Sequence, residues 1–196
     1  MQTSEPARTL ILITGYARAG KDTLADGLVK EAKHPVHRFN FADTLKIACD
    51  NYIEQLGLAG SFYDEDFKVR HRSFLVAAGA FARSIDCDVF ASAFVAECDT
   101  WASSHAIIGE PMTVICSDWR YMNELRIPDS TLGLCGWRII TVHVTTSNVE
   151  AANEEEGKSI GEIIRQAPLG YSYYFAPNSK AAIQTEGRML ARTLGI

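Results

Sequence analysis

Apolar residues fall along this chain in two rhythms. Nearly unbroken apolar runs of strand length occupy residues 9–14, 36–41, 112–117, 138–145 and, more weakly, 173–176, as expected of strands buried on both faces. Between them the spacing turns helical. Leu24 and Leu28 lie four apart; Leu45, Cys49, Tyr52, Ile53 and Leu56 share a face before Gly57; Val89, Phe90, Ala93, Phe94 and Trp101 share another; and Ile183, Leu190 and Leu194 close the chain. Strands alternating with helices predict an α/β fold, a three-layer sandwich around a central, mostly parallel five-stranded sheet. In such sheets ligands sit beyond the carboxyl ends of the strands, so the loops at 15–21, 41–44 and 117–124 should converge.

There is no internal repeat, low-complexity tract or linker to divide the 196 residues. The chain reads as one domain, with a core at 9–63, 107–147 and 173–196, a helical insertion at about 64–106 and a lid-like segment at about 148–172 that mixes the acidic run NEEEG with glycines and a proline. A content of 47% hydrophobic and 22% charged residues suits one sizeable core. The opening MQTSEPART has no apolar targeting core and no run is long enough to span a membrane, so a cytoplasmic protein is expected. Five cysteines, Cys49, Cys87, Cys98, Cys116 and Cys135, without C-x-x-C spacing read as buried or semi-buried free thiols. A net charge of −5 disfavours binding to a nucleic-acid polymer and leaves any anionic ligand to local cations. Those near motifs are Arg18, Arg70, Arg72, Arg83, Arg120 and Arg165.

Gly15 and Gly20 bracket four residues and precede Lys21, the G-x-x-x-x-G-K spacing of a phosphate-binding loop, set after a strand pattern and before a helical one. Glycines let the backbone amides turn inward as an anion nest, the helix start adds partial positive charge, and the lysine reaches the outer phosphates. Asp22 occupies the position where many such loops carry Ser or Thr, and Thr23 follows one step later. An aspartate beside phosphates is costly unless it turns away or meets magnesium, which favours Thr23 for a phosphate or metal contact. In VICSDWRYMNE, a strand ends at Asp118, followed by Arg120. The acid can hold a magnesium ion through water and the arginine can grip a phosphate as a fork. In FNFADTLK, Asp43 or Thr44 reads first as a helix cap, on a loop that also leaves a strand end on the binding side. RSIDCDVF, with Arg70 and Arg72 upstream, groups cations that singly would be surface residues.

Taken in this order and at these separations, GYARAGKDT, FADTLK, RSIDCDVF and SDWRYMNE resemble the deoxynucleoside monophosphate kinases encoded by bacteriophages, within the nucleoside monophosphate kinase group of P-loop folds. The resemblance covers residues 10–144 well and the last fifty or so loosely. It implies transfer of the terminal phosphoryl group of ATP, as its magnesium complex, to a deoxynucleoside monophosphate. By that resemblance Gly15, Ala17, Ala19, Gly20, Lys21, Asp22 and Thr23 cradle the donor phosphates, and Pro177 and Asn178 cup the adenine. Lys21, Arg120, Asp118 and Arg18 form the catalytic set, with magnesium held by Thr23 and Asp118, partly through water. Phe41, Asp43, Lys46, Arg70, Arg83, Asp86, Asp88, Arg120, Asn123 and Glu124 form the acceptor site, Arg165 is the lid cation, and a homodimer is possible.

Two rival readings accompany this one. A P-loop kinase of another small acceptor, resembling dephospho-coenzyme A kinase, would share the loop and differ in acceptor. A regulatory nucleotide-binding module whose catalysis has lapsed would fit Asp22 and the arginine-poor segment 148–172. His34, His37, His71, His105 and His143 show no metal-ligand spacing, and no serine or cysteine sits in a nucleophile context.

Overall fold

Leu10 and Leu12 face one side of the first strand, Ile11 and Ile13 the other, and all four are fully buried. A strand covered on both faces accounts for the unbroken apolar run. A computed structural model describes residues 8–105 and 111–196. In chain order the elements are β1 (Arg8–Thr14), α1 (Lys21–Glu31), β2 (Val36–Arg38), α2 (Phe41–Gln55), α3 (Glu65–Arg70), α4 (Arg72–Ile85), α5 (Val89–His105), β3 (Met112–Trp119), α6 (Asn123–Pro128), β4 (Trp137–Thr146), α7 (Glu154–Gln166), β5 (Tyr171–Phe175) and α8 (Lys180–Leu194). The five strands run in the order β2-β3-β1-β4-β5, every pair parallel. This is the three-layer α/β sandwich expected. Met1–Ala7, the end of the expected insertion at Ala106, the resumption of the core at 107 and the side chain of His105 lie outside the described residues.

One layer is α1 and α8, whose Leu24, Leu28, Ile183, Leu190 and Leu194 pack under Ile11, Ile13, Val142 and Val144. These helices touch at glycines. A Cβ on Gly27 would lie 2.3 Å from the Gln184 carbonyl oxygen, and one on Gly187 would lie 2.3 Å from that of Leu24. The other layer brings Phe41, Phe94, Cys98, Trp101, Leu125, Ile160 and Ile163 against Leu10, Leu12, Val114 and Cys116. Here α5 covers the sheet, whereas α3 buries no residue and α4 only Gly79. The segment 154–166 likewise packs on the core through Ile160 and Ile163.

Several local expectations need correction. β2 ends at Arg38, short of residue 41, because Asp43 accepts the Asn40 amide at 2.8 Å and starts α2. β5 begins at Tyr171, two residues earlier, and pairs Tyr171 with Val142. Tyr52 and Leu56 are exposed, while Cys49 and Ile53 are buried. Cys87 and Cys135 are exposed, and Cys49, Cys98 and Cys116 are buried free thiols. Among the described residues no helix is long and apolar enough to cross a membrane.

Candidate functional site at the strand ends

The loop between β1 and α1 has the backbone that its glycines forecast. Gly15 (φ +143°) and Gly20 (φ +97°) occupy positive φ, and so does Arg18 (φ 67°). A side chain at Gly15 would lie 2.2 Å from the Val144 carbonyl oxygen, and one at Gly20 would lie 2.7 Å from Ile183 Cδ1. Gly15 therefore demands glycine on two grounds, whereas at Gly20 the positive φ decides, since the Ile183 methyl can shift. Left-handed residues alternating with right-handed ones, opening into a helix, are the backbone pattern of an anion nest. The loop is braced by Ala19 N–H donating to the Tyr16 carbonyl (3.1 Å) and by the Thr146 hydroxyl donating to the Ala19 carbonyl (2.9 Å).

Lys21 folds back over this loop, its ammonium donating to the carbonyls of Gly15 (2.7 Å) and Tyr16 (2.8 Å). Burial and the nearby Arg120 guanidinium lower its pKa from the usual lysine range, against the pull of Asp22, Glu156 and Asp118. Two cations and three carboxylates thus share one small region. The Asp22 carboxylate turns aside and accepts from the Ser117 hydroxyl (2.7 Å) and the Arg38 guanidinium (3.1 Å), and Arg38 also holds Asp26 (2.5 Å).

The three loops meet as the topology requires. Asn40 Oδ1 accepts the Ser117 amide at 2.9 Å. The Asp118 carboxylate accepts the first two amides of α2, Phe41 N–H at 2.9 Å and Ala42 N–H at 3.0 Å, and the Cys116 thiol at 3.2 Å. Burial pushes the Cys116 thiol well above its usual pKa, so it stays a donor. Asp43 is a helix-start residue, accepting the Asn40 amide and pairing with Lys46 at 2.7 Å; Lys46 also lies over the Tyr63 ring.

Beyond β3, Arg120 is exposed and its amide, with that of Tyr121, donates to Glu124 (2.7 and 3.1 Å). Glu124 is only 3% exposed, and burial, followed by the nearby Asp118 charge, pushes its pKa up to about 8. A cavity of about 300 Å³ opens beside it, with Arg83, Asp88, Tyr121, Asn123 and Arg126 on its wall. Arg83 is sandwiched between the Phe90 and Tyr121 rings, 4.8 and 4.9 Å from their centroids. Asp88 accepts from Asn123 (2.9 Å) and Arg126 (3.2 Å), and Asp86 accepts the Asp88 amide (2.9 Å).

Other expected residues stand apart from this cluster. Arg70 is exposed on α3, donating to the Asp66 carbonyl. Arg165 is exposed near the end of α7, on an open hollow of about 540 Å³ shared with Asn153, Glu154, Lys158 and Glu162. Pro177 and Asn178 are exposed in the turn between β5 and α8, with Asn178 at φ 59°. Thr23, by contrast, is partly exposed in the first turn of α1, two residues on from Lys21 at the phosphate loop.

Sequence reasoning missed Arg38, Ser117, Tyr121 and, above all, Glu156. The Glu156 carboxylate, 5% exposed, accepts Ala17 N–H of the phosphate loop at 3.0 Å and Ala152 N–H at 2.7 Å. Its place three residues after Asn153, a capping residue whose side chain accepts the Glu156 amide, disguised it as an ordinary helix start. No group of three or more His, Cys, Asp or Glu able to hold a metal occurs among the described residues.

No family model and no curated relative matches the sequence. Among solved structures, the chain is similar to an unliganded sugar kinase from Janibacter sp. HTCC2649, at 10% identity over 95% of both chains and a TM-score of 0.46. It is also similar to a gluconokinase from Sinorhizobium meliloti 1021, at 12% identity over 97% of this chain and 94% of the other, with a TM-score of 0.44. A de novo designed protein of P-loop NTPase fold gives 11% identity over 96% and 93%, with a TM-score of 0.38. Likenesses at this level decide nothing about the reaction. The fold rests on the parallel strand order and the loop geometry described above.

Proposed function

We propose that the protein is a P-loop kinase that moves the terminal phosphoryl group of ATP onto a deoxynucleoside monophosphate, releasing ADP and the diphosphate. One observation carries the reading. A glycine-forced loop with a lysine folded over it lies at the carboxyl edge of a parallel sheet, and a cavity walled by Arg83 and Arg126 among carboxylates opens beyond β3.

Phosphates entering the loop would draw the Lys21 ammonium off the Gly15 and Tyr16 carbonyls, exchanging two neutral acceptors for anionic ones. Arg120, near enough to lower the Lys21 pKa, then faces the acceptor phosphate, and Arg18 at the loop tip adds a third cation. Arg83, held by two rings, and the Asp88–Asn123 pair wall the acceptor cavity, with Asp86 bracing the Asp88 amide. Pro177 and Asn178 cup the adenine, and Arg165 closes from α7. Two anions must approach in line, so these groups act by positioning and neutralisation rather than proton abstraction.

Magnesium fits the oxygen donors present, since it is usually held by one or two protein oxygens with phosphates and water supplying the rest. Thr23 would hold it, and Asp118 would order its water through lone pairs that the α2 amides leave free. When bound, it neutralises charge on the phosphoryl oxygens. A coupled assay of ADP release with dAMP, dGMP, dCMP and dTMP beside their ribose counterparts tests the reading. Release stimulated by one or more of the deoxynucleotides supports it; stimulation only by an unrelated acceptor, or none by any, overturns it.

A further inference from the structure

The first turn of α7 joins the phosphate loop to the acceptor side through two adjacent carboxylates. Glu156 reaches Ala17 N–H at 3.0 Å, and Glu155 accepts the Tyr121 hydroxyl at 2.5 Å. Tyr121 in turn carries Arg83 over its ring. The two ends of this connection differ in cost. Glu155 bonds at an exposed site, whereas Glu156 is nearly buried. A buried carboxylate needs full hydrogen bonding, and here Ala17 and Ala152 provide it.

Ala17 is the middle of the loop, where an inward amide is offered to an anion. That N–H has one hydrogen, and a carboxylate oxygen already holds it. A phosphate oxygen cannot share the bond, and a second negative charge at that distance is repelled. Lys21 meanwhile rests on carbonyls rather than on Glu156, so the carboxylate is not neutralised by contact with the ammonium.

We propose that Glu156 is an internal anion seated on the phosphate loop, and that triphosphate binding must displace it, releasing the first turn of α7. This rests on the nucleotide-binding reading given above. Ile160 and Ile163 stay in the core, so the helix remains docked at its middle while the turn before it moves. The turn is built for this, since Gly157 follows Glu156 directly and the preceding residues 150–153 are outside regular structure. Displacement also loosens the Glu155–Tyr121 bond, so donor binding changes the wall of the acceptor cavity.

The test is the affinity for ATP with magnesium, measured by calorimetry on the wild-type chain and on Glu156→Gln. The glutamine keeps an oxygen for Ala17 N–H and removes the charge. The expected result is tighter binding by at least about tenfold, the scale of removing one poorly screened like charge near the ligand. Equal or weaker binding by a variant that melts like the wild type overturns the displacement alone. Absence of binding by both proteins overturns the nucleotide reading and the displacement with it. Hydrogen exchange on the wild-type chain needs no variant. ATP should speed exchange at the Ala152, Glu156 and Gly157 amides, and added protection there contradicts the proposal.

Discussion

Replacing Asp118 with asparagine separates its structural work from any metal chemistry. Its carboxylate accepts the Phe41 and Ala42 amides at 2.9 and 3.0 Å, the first two of a 15-residue helix, and the Cys116 thiol at 3.2 Å. A hydrogen bond to a charged group contributes about 1.5–3 kcal/mol and loss of a helix-start acceptor costs about 1 kcal/mol. Asparagine keeps one oxygen for one amide and turns an amino group toward the other. It also withdraws negative charge from the positive end of the helix, worth about 0.3–1 kcal/mol. Asp118 is partly exposed, which discounts the total to about 2–3 kcal/mol. For a domain of this size that is a fall in Tm of roughly 5–10 °C. Thermal unfolding by circular dichroism, without nucleotide, reads it directly. A variant that melts within about 1 °C of the wild type would refute the reasoning, since these three bonds would then contribute far less than charged acceptors do.

Glu124 predicts a pH dependence. Its folded pKa, about 8, lies above the ordinary value of 4.5, so the folded state holds a proton that the unfolded state has released between those values. Stability from this group is full below pH 4.5 and lost as pH rises through 8; Glu124→Gln should flatten that decline in urea midpoints, and an unchanged slope contradicts it. Gly187→Ala should lower Tm by several degrees, because its Cβ would meet the Leu24 carbonyl at 2.3 Å and force α1 and α8 apart, at a cost of about 1–3 kcal/mol; an unchanged melt contradicts the close crossing. Tyr52 and Phe74 stack at 5.9 Å and both stay exposed, as does Phe81, two turns further along α4 on the side of Phe74, and a homodimer through this patch is the outcome to test. Light scattering should give twice the monomer's 21.6 kDa, and Phe81→Glu should halve it. A monomeric mass at tens of micromolar would contradict it.

The strands were legible because burial on both faces writes itself as unbroken apolarity, as at Leu10–Ile13. The loop was legible because Gly15 is demanded by φ and by contact with the Val144 carbonyl, and Gly20 by φ. What escaped depends on partners distant in sequence. Asp118 reads as a strand-end acid until α2 is folded against it, 76 and 77 residues away along the chain. Glu156 reads as one acid among three until the loop, 139 residues away, is brought to it. Tyr52 and Leu56 keep helical spacing, yet both stay exposed, Tyr52 even though it stacks on Phe74, because apolar periodicity does not say how much of a face finds a neighbour.

Lys21→Ala tests the central claim most directly, in the coupled assay of ADP release from ATP and magnesium with the best deoxynucleoside monophosphate. Losing this one preorganised cation should lower acceptor-dependent turnover by at least about a hundredfold while the fold persists. Turnover near that of the wild-type chain would show that the phosphate loop is not where the reaction occurs.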